Sequence, residues 1–298
     1  MAIYTIRESP AFEDPVMLLA LSGWVDAASV GTDAADLVAA EGSTIVEFDR
    51  DALFDYRSSR PQLRFEDGDL AEITWPELTI SHRIIDGRDV LVMTGNEPDF
   101  RWIQLAEETA ELVQRMGVGH LVTVGSVPAA LPHTIEPRVM TTASVPELLT
   151  DDDTVLPGTL VVPGAAVSVL SDRLVQAGVA SVGYWAQVPH YLNQPWHAGV
   201  LALLQRVRRH LALSLPLDEL RNAAEEQNRE LDRILAGRPE AQDYVQKLEQ
   251  MAAEGDGIEN LGTPGPLDSE GLPSADELAA EVERYLRGGG SGDDADPP

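Results

Sequence analysis

Short apolar runs alternate with longer stretches of helical spacing through the first two thirds of the chain. Val16-Met-Leu-Leu-Ala-Leu21 is a continuous apolar run ending at Ser22-Gly23, the mark of a buried strand. Val30, Ala34, Leu37 and Val38 then fall on one face of a helix over 30–40, and residues 43–48 read as the next strand. The polar, Arg-rich stretch 49–68 reads as a loop. Residues 73–80 and 83–85 read as paired antiparallel strands, with Pro76 placing the first at an edge or bulge. Asp86-Gly87 supplies a turn into a core strand over 89–94.

The second half repeats the alternation. A helix is predicted over 100–116, with Ile103, Ala106, Leu112 and Val113 inward and Gly117 as its stop. His120 to Val124 reads as a strand that Gly125 allows to turn sharply. Leu160-Val-Val162 leads through Gly164 into a helix over 165–177, and 179–188 reads as a strand. Pro195 starts a further helix to about Leu213. This pattern predicts an α/β fold in which a mixed, largely parallel sheet is flanked by helices.

Past Leu215-Pro216 the spacing changes. Leu217, Leu220, Ala224, Gln227, Leu231 and Ile234 recur at intervals of three and four, a helix with one apolar stripe that Gly237-Arg-Pro239 ends. A second helix follows over 240–253, with Val245, Leu248 and Met251 inward. The expected organisation is an α/β core over 1–213 and a helical hairpin packed on it over 214–254. An acidic Gly/Pro-rich linker, a short helix at 275–286 and a disordered tail fill 255–298.

Composition narrows the chemistry. Over 298 residues, 50 Asp and Glu against 21 Lys and Arg leave a formal charge of −29. From residue 214 onward the net is −14, nearly half the excess. Such a surface repels phosphate backbones and anionic lipid, so neither nucleic acid nor membrane is an expected partner. Cysteine is absent, which excludes disulfides, thiol catalysis and thiolate metal sites. Lys247 is the single lysine and Leu248 follows it, so no phosphate loop ending in Lys-Ser or Lys-Thr exists. The N-terminus has neither a basic nor an apolar signal region, and no run approaches the ~20 apolar residues of a membrane span. A cytoplasmic protein is expected.

Candidate chemistry gathers after the strands. Gly23 and Gly31 bracket the first strand–helix turn, read as a tight connection needing φ > 0 at Gly23 rather than a phosphate cradle. Asn96, Glu97 and Arg101 follow a core strand at the edge where open α/β sheets bind ligands. The plainer reading makes Glu97–Arg101 a local ion pair and Asn96 a helix cap. Ser126 and His133 invite a nucleophile–base pairing, but GxSxG is absent and Pro128, Pro132 and Pro137 suggest a rigid loop. His190 and His197 flank Pro195-Trp196 without a metal-ligand spacing; Tyr184, Trp185, His190 and Tyr191 read as a polar–aromatic lining or subunit contact. No cofactor and no metal are implied.

Three ordered stretches resemble the PAC2 family, named after proteasome assembly chaperone 2, in its long actinobacterial form. They are Leu21-Ser-Gly-Trp-Val-Asp-Ala-Ala-Ser-Val-Gly31, the pair Thr94-Gly-Asn-Glu-Pro98 and Leu121-Val-Thr-Val-Gly-Ser-Val-Pro-Ala-Ala-Leu-Pro-His133, and Val182-Gly-Tyr-Trp-Ala-Gln-Val-Pro-His-Tyr191. The resemblance implies a phosphorylase-like α/β fold, homo-oligomers (a trimer by analogy) and, for some members, a role in proteasome assembly. Assembly factors of archaea and eukaryotes commonly end in hydrophobic–Tyr–X; this chain ends Asp296-Pro297-Pro298, with Tyr285 internal. That ending departs from the docking tail and counts against a chaperone role; the resemblance, with no catalytic motif in the chain, makes the expected function non-catalytic: protein–protein contact, with proteasome subunits as the implied partners. The alternative is a nucleoside- or phosphate-type binding protein or enzyme using a sheet-edge pocket.

Overall fold

The computed structural model describes residues 2–155 and 158–254. The expectations for residues 255–298, including the linker and the helix at 275–286, lie outside them. The chain opens with β1 (Tyr4–Ile6), β2 (Val16–Ser22), α1 (Val30–Ala39), β3 (Ser43–Phe48) and the one-turn α2 (Arg50–Leu53). A ribbon of β4 (Gln62–Glu66) and β5 (Asp69–Thr74) precedes β6 (Leu78–Ile85), β7 (Arg88–Asn96), α3 (Trp102–Met116) and β8 (His120–Ala129). Then come β9 (Val139–Ala143), β10 (Thr154–Val155), α4 (Ala166–Gln176), β11 (Ala180–Pro189) and α5 (His197–Leu211). Two helices, α6 (Asp218–Ala236) and α7 (Pro239–Glu254), complete the described chain.

Nine strands form one sheet in the order β1-β3-β6-β7-β2-β8-β11-β9-β10. Its centre, β7-β2-β8-β11, is parallel throughout, while β1, β3, β6 and β9 join it by antiparallel pairing. The hydrophobic pattern explains the difference. Val16 to Leu21 is buried on both faces because helices cover both sides of a parallel sheet. On one face α1, α5, α6 and α7 pack over alternate positions of the strands: Leu18, Val92, Val122 and Val182 meet Val30, Val38, Leu203 and Leu248 in one cluster. On the other, α3 and α4 bury Met17, Leu19, Leu91 and Leu121 against Leu105, Val113 and Leu170.

Several sequence expectations are corrected. The stretch 49–68 is not all loop: Asp49 caps α2 by accepting from the Asp51 and Ala52 amides, and β4 occupies 62–66. The strands predicted at 73–80 and 83–85 do not pair with each other. Pro76 instead separates β5, which pairs with β4, from β6, which runs unbroken to Ile85 and pairs with β7. Gly125 does not end its strand: β8 continues beside β11 to Ala129, so Ser126 and Pro128 are strand residues. The register of β2 with β8 stops at Thr123 and a bridge from Asp26 meets Ser126, which leaves Pro128 paired only to β11, where a proline is tolerated. The helix expected from 100 begins at Trp102, and Ile103 points to solvent at 74% exposure while Leu105, Thr109, Leu112 and Val113 face the core. Leu37 of α1, expected on the inner face, is likewise exposed.

Candidate functional site

The four parallel strands end together at Ser22, Asn96, Ala129 and Pro189. The chain leaves β2 through Gly23 at φ 138°, a conformation open to glycine. A Cβ there would lie 2.8 Å from Glu97 Oε2. Residues 24–29 then loop back beside β8, where the Ser126 amide donates to Val25 O and Asp26 bridges to Ser126. Gly31 and Gly125 are there for close approach: a Cβ on Gly31 would come within 2.8 Å of the Gly125 Cα, and one on Gly125 would strike the Trp185 ring.

Two carboxylates dominate this edge, and both sit at helix N-termini. Asp26 Oδ1 accepts from the Gly31 and Thr32 amides at 2.7 and 3.1 Å, and its Oδ2 takes the Thr32 hydroxyl at 2.5 Å. Glu97 reaches across the loops, accepting from the Ala166 amide at 2.7 Å and the Trp24 amide at 3.4 Å. Helix N-termini are natural anion sites because their amides and dipole are unsatisfied. Here the protein's own side chains already supply the anions to α1 and α4. Burial pushes Asp26 above the ordinary carboxylate range, with its Thr32 and Gly31 bonds opposing; burial likewise raises Asp33 and Asp36 nearby. The edge is acidic and internally satisfied.

The structure divides the sequence-predicted site residues into separate groups. Asn96 and Glu97 lie together, but Asn96 does not cap α3: its Oδ1 accepts from the Glu77 amide and its Nδ2 donates to Ser22 Oγ. Arg101 is exposed in the left-handed region at the α3 N-cap (φ 60°), and Glu97 lies outside that helix, so the two form no i,i+4 pair. Ser126 is buried and spends its hydroxyl on Ala27 O at 2.8 Å. His133 is not its base. Its Nδ1 lies 2.8 Å from the Tyr191 hydroxyl and its Nε2 3.3 Å from Asp232 of α6. Burial holds the His133 imidazole below its usual pKa, against the opposing pull of Asp232. His190 makes the matching link to α7, with Nε2 2.7 Å from Tyr244 OH and Nδ1 3.1 Å from Ala129 O. His133, His190 and Tyr191 therefore tie the last two helices to the ends of β8 and β11.

What sequence reading missed is the apolar character of the same edge. Trp24 (63% exposed), Phe100 (49%) and Ile103 (74%) project from the loops and helix start after β2 and β7. Leu160, Val161 and Val162 are likewise exposed ahead of α4, Val161 at 89%. Helical spacing put Ile103 on the inward stripe with Ala106 and Val113, and Val161 precedes α4, so no periodicity in the sequence marked these side chains as exposed.

The comparisons agree with this architecture. The PAC2 family matches residues 20–235. A Mycobacterium tuberculosis protein of unknown function, Rv2714, is 30% identical over 86% of this chain and 90% of its own, with a TM-score of 0.80. The Mycobacterium tuberculosis proteasome-assembly chaperone homologue Rv2125 is 33% identical, covering 77% of this chain and 99% of its own at a TM-score of 0.69. A PAC2 family protein from Streptomyces avermitilis is 30% identical over 78% of this chain and 100% of its own, again at 0.69. No curated protein matches. The family match spans well over half of the sequence and takes in the end of β2, all of β7, β8 and β11, and the capped α1 and α4: the chain belongs to the PAC2 family.

Proposed function

We propose that the protein acts by protein–protein contact, as a cytoplasmic homo-oligomeric scaffold or assembly chaperone for proteasome-type complexes, through the carboxyl edge of its sheet. The observation that carries this reading is the set of exposed apolar side chains there: Trp24, Phe100, Ile103 and Leu160 to Val162. Large apolar groups gathered at one edge of a chain with net charge −29 are what a protein partner covers. The carboxylates at the start of α1 and α4 count against a phosphate-type ligand at the same place, because they occupy the amides that would bind it. The likeness to a chaperone homologue at 33% identity supports the choice of partner class.

Light scattering and capture by proteasome α-subunits test the proposal together. The expected result is a closed oligomer, a trimer first, at a multiple of 32.2 kDa, and retention on immobilised α-subunits. Ile103→Arg with Val161→Arg should abolish one or both while moving the melting temperature by less than about 2 °C, since both side chains are exposed. A monomer at micromolar concentration that captures no α-subunit overturns it.

A further inference from the structure

At the opposite end of the sheet, where the parallel strands begin, a cavity of about 410 Å³ opens between β7, β8, β11 and the last turn of α5. Its size falls within the roughly 300–1,000 Å³ of small-ligand sites. Its chemistry is unlike the rest of the molecule. Arg88, Arg206 and Arg209 converge on it with His120 and His210, in a chain that carries only 21 Lys and Arg. The two imidazoles lie with their Nε2 atoms 2.7 Å apart, a hydrogen bond in which one neutral ring donates and the other accepts. Tyr184, on β11, is 2% exposed and sets its ring edge-on to His210.

Asp153 is fully engaged: it accepts from Thr141 Oγ1 and from the Thr150 amide and hydroxyl at 2.8–2.9 Å, with Arg206 at 3.5 Å. Arg88 and Arg209 have weaker ties. Arg88 donates from Nη1 to Leu211 O at 3.2 Å while its Nη2 lies 3.7 Å from Asp14, whose side chain is 87% exposed, and Arg209 pairs at 2.8 Å with Asp152, 68% exposed. Such surface pairs contribute little and exchange readily. We infer that this cavity is a binding site for a small phosphorylated molecule, its oxyanion received by Arg88, Arg209 and the His120–His210 pair. Guanidinium groups from β7 and α5 approach from different directions, as a tetrahedral oxyanion requires, and the volume leaves room for a body beyond the phosphate.

An oxyanion beside the imidazole pair favours one further proton on it, carried at Nδ1 of the donating ring so that the Nε2–Nε2 bond is kept. Binding therefore tightens as pH falls from 8 to 6. The groups that face the pair are Arg88 at the start of β7, Asp14 just ahead of β2, Tyr184 of β11, Asp153 and Glu147 from the loops, and Arg206 and Arg209 from α5. Sulfate keeps its own charge across the same interval and isolates the protein's proton.

The test uses the full chain at constant ionic strength. Inorganic phosphate should raise the melting temperature by several degrees over chloride, and sulfate should bind at least about threefold more tightly at pH 6 than at pH 8. Arg88→Ser with Arg209→Ser should lose the phosphate shift, and His210→Asn the pH dependence. Imidazole NMR of the wild-type chain reads the site independently of any variant: phosphate should move the His120 and His210 resonances and leave those of His133 and His190 in place. Equal melting shifts in wild type and variants, or phosphate-insensitive His120 and His210 resonances, overturn the assignment.

Discussion

Gly95 shows how a single residue can be fixed by its neighbours' backbone. It sits at φ 144°, and a Cβ there would fall 2.1 Å from the Glu77 carbonyl of the adjoining segment. Gly95→Ala is expected to cost about 3 kcal/mol or more, because the backbone of β6 must shift as well as the φ angle. Chemical denaturation reads the loss. Glu97 is fixed in the other sense, by what it holds. Glu97→Ala removes the acceptor from the Ala166 and Trp24 amides and should cost about 1.5–3 kcal/mol, a fall of roughly 5 °C in the melt. Glu97→Gln keeps an acceptor oxygen and should recover most of it. If Ala and Gln melt alike, the carboxylate holds neither loop. None of this was legible from sequence, where Glu97 was matched with Arg101 by spacing alone; the true partners lie 69 and 73 residues away.

Elements with a buried face announced themselves, and those without one did not. The strands β2 (Val16–Ser22) and β7 (Arg88–Asn96) and the helices α1, α4 and α6 carry stripes or runs that report the core they face. The ribbon β4–β5 has no buried residue in either strand, so its alternation of Leu63 and Phe65 with Gln62, Arg64 and Glu66 had no core to signal. The same reasoning explains the cavity: His120, Arg88 and His210 come from three elements up to 122 positions apart, and only the basic run Arg206 to His210 hinted at it. For the last two helices the apolar stripe makes a quantitative claim. Leu248 is buried in the same cluster as Trp196 and Leu203 of α5. Leu248→Ala should cost about 2–5 kcal/mol. Hydrogen exchange should show protection falling in α5 and α6 as well as α7, whereas a loss confined to α7 would show that the hairpin opens by itself.

For the whole molecule the buried imidazoles set the response to pH near neutrality. Burial holds His120, His133 and His210 below the ordinary imidazole value in the folded state. Between the folded and unfolded values the unfolded chain binds more protons, so stability rises with pH and is lost as pH falls through about 6.5. Asp26, Asp33 and Asp36 act the other way, since their raised values favour the folded state under acid, but only near the carboxylate range. The melting temperature should therefore drop between pH 7.5 and 5.5, and the drop should be smaller in His133→Asn. A melt that is flat over this interval in the wild type would show that the buried imidazoles do not govern it.

The strands at the two margins of the nine-stranded sheet, β1 with three residues and β10 with two, offer almost no free ladder of amides and carbonyls. A neighbour cannot extend the sheet by laying a strand beside them. Among the described residues, growth into fibres by that route finds only a short ladder at either margin. The longer open margins belong to the small ribbon, where Arg64, Glu66, Asp67, Asp69 and Glu72 set charges along the exposed edges. The fold thus leaves loops and helix ends as its means of meeting other chains, and keeps its backbone to itself.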